Sequence, residues 1–165
     1  EFIKGLNVEG RPNTSITNIS PLTKCTGLLH LSLSYTNVSD ISPLSNCTKY
    51  LQELHLDGTQ VSDIGVLSSC TSLQVLNLSM TRVSDISPLS NCTTLRRFLF
   101  VGAKNISDIS PLTNCTALQE LYMDSSGITD VTPLFNCTQL RELGLYDTRI
   151  DLSLLSKNKH LKHLI

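Results

Sequence analysis

Apolar positions recur along this chain at a fixed period. From Leu51 to Ser72 the chain reads LQELHLDGTQVSDIGVLSSCTS, and from Leu73 to Thr94 it reads LQVLNLSMTRVSDISPLSNCTT. Units of this kind begin at Ile3, Leu28, Leu51, Leu73, Leu95, Leu118, Leu140 and Leu161. Counting the first residue of a unit as position 1, positions 1, 4 and 6 are apolar almost throughout, as in Leu51, Leu54 and Leu56. The alternation over positions 4, 5 and 6 is the period of a strand, which sends 4 and 6 inward and 5 outward. Units this short can only be stacked. Setting them at the inter-strand distance of about 4.8 Å predicts one parallel sheet along the inner, concave face.

The return path has its own phrase, V/I-S-D-I-S-P-L, nearly copied at Val38 to Leu44, Val83 to Leu89 and Ile106 to Leu112. Ser42-Pro43, Ser87-Pro88, Ser110-Pro111 and Thr132-Pro133 predict a capping hydroxyl followed by proline at the first helical position. About five residues separate this point from the next strand unit, which predicts a single 3₁₀ turn. Asp40, Asp63, Asp85, Asp108 and Asp130 form a second ladder. Its expected task is to accept backbone N–H bonds in the turn, with a cation or a basic partner as the functional alternative.

The full unit, L-x-x-L-x-L-x-x-T-x-V-S-D-I-S-P-L, resembles the short 22-residue class of leucine-rich repeats. Bacterial internalins and the leucine-rich regulatory subunit of type-1 protein phosphatase belong to that class. The resemblance implies an α/β solenoid, or horseshoe, with a parallel sheet on the concave face and short 3₁₀ turns on the convex one. Residues 1–165 then form a single domain of about seven repeats. Thr36, Thr59, Thr81 and Thr148 stand where the class usually carries asparagine, so hydroxyls must remake those bonds. The N-C-T phrase replaces the usual apolar pair at the end of the helical turn, and in this the chain resembles leucine-rich repeat proteins of kinetoplastid protozoa. The resemblance implies a protein partner held on the concave sheet.

Composition narrows the choice of partner. Thirteen Lys and Arg against fourteen Asp and Glu give a formal net charge of −1, which argues against nucleic acid, since phosphate contacts need an excess of basic side chains. No apolar run approaches the length of a membrane span, so no membrane insertion is expected. The opening Glu1-Phe2 and the absence of capping sequences read as a segment excised from a longer chain. No nucleophile with an orienting base is visible, and a flat open sheet does not enclose a substrate. His30, Glu53 and His55 are expected close together, and Lys157, Lys159, His160, Lys162 and His163 form a small basic stretch. Neither pattern amounts to catalysis. The sequence therefore predicts no enzyme, no cofactor and no metal.

Six cysteines, Cys25, Cys47, Cys70, Cys92, Cys115 and Cys137, recur every 22 or 23 residues. A metal would need them to converge and a disulfide would need them to face one another, whereas a repeated core position points them in parallel. Buried free thiols acting as small apolar groups are the expectation, and they favour a reducing, cytoplasmic setting over a secreted or cell-surface one. Nine N-x-S/T sites are present, at Asn13, Asn18, Asn37, Asn46, Asn77, Asn91, Asn105, Asn114 and Asn136. Four of them are the copied N-C-T phrase.

Function should lie where the units differ. Positions 3, 5, 7 and 8 are expected to face solvent, and they vary from unit to unit. An apolar cluster of Val75, Met80, Leu99, Val101 and Tyr122 falls in the middle of the predicted sheet. Arg97, Glu120, Asp124, Glu142 and Tyr146 surround it, with Arg96 and Asp147 nearby. A hydrophobic centre, a charged rim and two tyrosines are the anatomy of a protein contact. The unit at Leu95 is exceptional, with Phe98 and Phe100 in place of leucines and one residue inserted near Lys104-Asn105. The sequence thus predicts a non-catalytic protein-interaction module. The alternative is a structural or surface-antigen array with no specific ligand.

Overall fold

The structure, a computed structural model, describes residues 5–7, 15–151, 153, 155 and 161–165. Glu1, Phe2, Ile3, Asn13, Lys157, Lys159 and His160 lie outside the described residues. Eight strands form one parallel sheet in sequence order: β1 (Gly5–Asn7), β2 (His30–Ser32), β3 (Glu53–His55), β4 (Val75–Asn77), β5 (Arg97–Leu99), β6 (Glu120–Tyr122), β7 (Glu142–Gly144) and β8 (His163–Leu164). Register is uniform: position 3 pairs with position 3, as in Glu53 with Val75 and Arg97 with Glu120. Among the described residues six 3₁₀ helices with full bounds line the opposite side: η1 (Ser20–Lys24), η2 (Ser42–Asn46), η3 (Gly65–Ser69), η4 (Ser87–Asn91), η5 (Ser110–Asn114) and η6 (Thr132–Asn136). The fold is a leucine-rich repeat solenoid.

One continuous core runs its length. Leu54, Leu76, Phe98, Leu121 and Leu143 are fully buried at position 4, and Leu56, Leu78, Phe100 and Met123 at position 6. Leu44, Leu67, Leu89 and Leu112 close the core from the helical side. Cys47, Cys70, Cys92, Cys115 and Cys137 are buried in it as free thiols, while Cys25, at the first described helix, is only partly covered. The thiols do more than fill space. Cys47 donates to the carbonyl of Leu22 (3.4 Å) and Cys137 to that of Leu112 (3.6 Å), each in the preceding helix. Those carbonyls also accept the N–H of Cys25 and Cys115, so one acceptor ties two repeats together. Burial pushes the Cys70, Cys92 and Cys137 thiols up to about 12, which leaves them in the inert thiol form.

The helix starts correct the expected capping scheme. Ser42, Ser87, Ser110 and Thr132 are the first residues of their helices rather than caps, and the preceding apolar residue makes no side-chain cap bond. The aspartate two residues upstream supplies the acceptor instead. Ser42 N–H donates to Asp40 Oδ1 (2.8 Å), Gly65 N–H to Asp63 (2.7 Å) and Ser87 N–H to Asp85 (2.7 Å), with Asp108 and Asp130 alike. A carboxylate reaches farther than a hydroxyl and accepts more strongly, so it displaces serine from the task. The same N–H bonds hold Asp40 and Asp85 below the ordinary carboxylate range. The aspartate ladder is thereby committed to the turns.

At the other end of each strand the threonine hydroxyls fold back locally. Thr36, Thr59, Thr81 and Thr148 each donate to the carbonyl three residues earlier, at 2.6–2.7 Å. Position 8, just before them, is left-handed in every repeat from Tyr35 to Asp147: Tyr35, Met80, Ser125 and Asp147 have φ of 54–58°, and Gly58 and Gly102 have 68° and 70°. This conformation suits glycine and strains other residues. Met80→Gly should therefore raise stability by up to about 1 kcal/mol, the relieved strain outweighing the extra freedom of an unfolded glycine. Thermal unfolding checks this, with Met80→Ala, which keeps the strain, expected to show no gain.

Candidate partner-binding face

The sheet's open face is built from positions 3 and 5, which stand side by side across the strands. Position 7 divides in two. Ser34, Asp57 and Ser79, expected to face solvent, are buried at 7–9% exposure. Asp57 Oδ1 receives the Ser34 hydroxyl (2.6 Å) and the Asn77 amide (3.0 Å), and Ser79 Oγ accepts the Val101 N–H (3.1 Å). These short polar groups satisfy one another against the backbone, so most of their hydrogen-bonding capacity is already spent. From β5 onward the row opens: Val101 and Asp124 are half-buried and Tyr146 is 76% exposed.

The proposed cluster lies where the row opens. Leu99 pairs in register with Asn77 on one side and Tyr122 on the other, and Arg97 pairs with Val75 and Glu120. Val75, Leu99, Val101 and Tyr122 are all half-buried, and Met80 is 54% exposed at the rim. The structure thus brings the ten sequence-predicted residues onto strands β4–β7 and the turns that follow them. Arg96 and Asp147 are exposed on opposite flanks of the same strands.

Tyr122 is the best-anchored member. Its hydroxyl donates to Glu142 Oε2 (2.6 Å), and the Arg97 guanidinium stands over its ring, 5.9 Å from the centroid. Arg97 in turn binds Glu120 through Nε at 2.9 Å. The hydrogen bond to Glu142, with burial second, pushes the Tyr122 phenol up to about 12, so it remains a donor. Gly144 makes this possible: a Cβ there would meet the Tyr122 ring and the Asp124 carboxylate, each at 2.9 Å. Asp124 also accepts the Tyr146 N–H (2.6 Å), which fixes the start of the turn carrying that exposed ring. Sequence reasoning missed Gly144, because a glycine at a variable surface position carries no signal of what leans over it.

Beneath the Leu99 strand, Phe98 and Phe100 are fully buried with ring centroids 4.9 Å apart. The inserted residue is absorbed on the flank, where Ile106 N–H closes on the Ala103 carbonyl (3.1 Å). Toward the N-terminus, His30 Nδ1 lies 3.3 Å from Glu53 Oε2, and both line an open hollow of about 390 Å³ with His55, Ser32 and Ser34. Among the described residues no group of three or more His, Cys, Asp or Glu is placed to hold a metal ion, and no helix is long and apolar enough to cross a membrane.

Comparison with known proteins returns the same architecture. A family model for leucine-rich repeats in two copies matches residues 26–69 and 49–91. Internalin C2 of Listeria monocytogenes superposes with a TM-score of 0.87 at 30% identity, covering 98% of this chain and 70% of its own. A second internalin of that species gives 0.70 at 32% identity, over 90% of this chain and 50% of the other. TLR13, in a structure described as a TLR13–ssRNA13 complex, gives 0.73 at 19% identity over 90% of this chain and 22% of its own, a likeness of fold alone. No curated protein matches the sequence.

Proposed function

Because this chain belongs to the leucine-rich repeat proteins, a family of non-catalytic interaction scaffolds, we propose that it binds a protein partner on the concave face of strands β4–β7, centred on Leu99 and Tyr122. The observation that carries this reading is the clamped Tyr122, held by Glu142 and Arg97 before any partner arrives. An aromatic side chain already ordered loses little entropy on binding, which is the character of a hot spot. Met80 supports the same reading, since a large exposed residue kept in a left-handed conformation trades stability for surface. The formal charge of −1 favours protein over nucleic acid, although the fold is compatible with either.

The test is affinity capture from lysate of the source organism with the wild type and with Leu99→Asp plus Tyr122→Ala. The expected result is a protein retained by the wild type and absent from the variant, both shown folded by thermal unfolding. Identical captures by the two would favour a spacer or surface array that binds nothing on this face.

A further inference from the structure

Resting on that reading, we infer that the partner segment seated on β5–β7 is basic: an aliphatic side chain covers Leu99 and Val101 while lysines or arginines face Glu142 and Asp124. The charges are unequally matched. Glu120, Asp124 and Glu142 are three carboxylates on adjacent strands, and Arg97, the one cation on these rows of β5–β7 among the described residues, is already paired with Glu120. Glu120 and Glu142 stand directly opposite in register. Like charges so placed repel across a sheet, and nothing in the core requires them there. Among the described residues Glu142 accepts a side-chain bond from the Tyr122 hydroxyl alone, and Asp124 one from the Tyr146 N–H. Both bonds are made by neutral donors, so the two negative charges remain uncompensated.

The neighbouring cations stand elsewhere: Lys104 and Arg149 line a hollow with Ser125 and Asp147 beyond the strand ends. Arg141 and Lys162 line a separate hollow with Thr138 and Gln139 at the entry to the strands. His163 pairs in register with Glu142 at the end of the sheet and is exposed. Tyr122 and Gly144 lie between the two carboxylates, and the apolar ground of Leu99 and Val101 adjoins them on the next strand. A partner presenting acid here would meet repulsion, and one presenting only apolar groups would leave two carboxylates half-desolvated and unpaired. A basic segment with an aliphatic centre satisfies both parts of the surface.

The experiment pans a random dodecapeptide phage library at low ionic strength on three immobilised full-length proteins. These are the wild type, Leu99→Asp, and Asp124→Asn with Glu142→Gln. The last pair removes both charges but keeps both hydrogen-bond acceptors, so Tyr122 and Tyr146 hold their places. Peptides retained by the wild type should be enriched in Lys and Arg. They should bind the uncharged variant on the order of 3–10-fold more weakly, with a comparable loss at high salt. Peptides lost with Leu99→Asp but showing no basic excess and no response to the uncharged variant would overturn the inference and leave the concave site standing. Peptides indifferent to Leu99→Asp, or none retained at all, would overturn the site itself and the inference with it.

Discussion

Phe98→Ala lowers the free energy of unfolding by about 3–5 kcal/mol, among the largest losses expected from a single substitution in this chain. The ring is fully buried, and it packs against Phe100 at 4.9 Å with the two planes tilted by 41°. Truncation therefore removes the transfer energy of the side chain, opens a cavity that flanking repeats cannot fill, and forfeits the aromatic contact. The position in the array enlarges the consequence. A solenoid is held by interfaces between nearest neighbours, and β5 is the link between β4 and β6. Urea unfolding should show the lowered midpoint together with a shallower transition, as the two halves begin to melt separately. Amide exchange should rise on β4 and β6 as well as β5. A loss under about 1 kcal/mol would mean that the neighbouring leucines collapse into the space, and the central repeat would not be the keystone of the core.

Cys92→Ser costs about 1–3 kcal/mol, although only one atom changes. The thiol is fully buried and lies 3.8 Å from the Leu67 carbonyl of the preceding helix. Sulfur tolerates that distance as a weak donor and otherwise behaves as an apolar atom. A hydroxyl on its shorter bond stops farther from the carbonyl, and no other acceptor replaces the water it has lost. Cys92→Ala, which introduces no polar group, should lose less than the serine variant, and urea unfolding of the three proteins measures the order. Serine as stable as cysteine would show that the ladder is not an apolar layer. Thiol counting gives a second reading of the same feature. In the native protein Cys25 should react first, being the one partly exposed member. The five others should react only as the protein opens, and all six should be free after denaturation.

Met80 and Cys92 show how far local pattern reaches. The cysteine's burial was legible because it repeats: a residue copied at every unit must occupy the same layer, and a layer between strand and helix is core. The strain at Met80 was not, since the left-handed turn is a property of the backbone after position 7, revealed in sequence only by Gly58 and Gly102 at equivalent places. Serine before proline read as a cap because the two residues alone suffice for one. The structure passes that task to aspartate, whose side chain can reach the same N–H from two residues upstream.

What the sequence by itself determined is the solenoid: the strand register, the single turn of 3₁₀ helix and the continuous core follow from a period of 22 or 23 residues, because identical units can bury their apolar positions only against one another, while the internalin-like class is read from the resemblance of the repeated phrase. It also placed the candidate face on the middle strands. Tertiary structure alone decided which of the varied positions are open. Ser34, Asp57 and Ser79 look like surface and are sealed into a hydrogen-bond network, whereas Tyr122 is held ready by Arg97, Glu142 and the bare backbone of Gly144. Those partners come from different repeats, 20 or more residues away in sequence. A side chain's exposure depends on what its neighbours across the sheet do, and no unit carries that information alone.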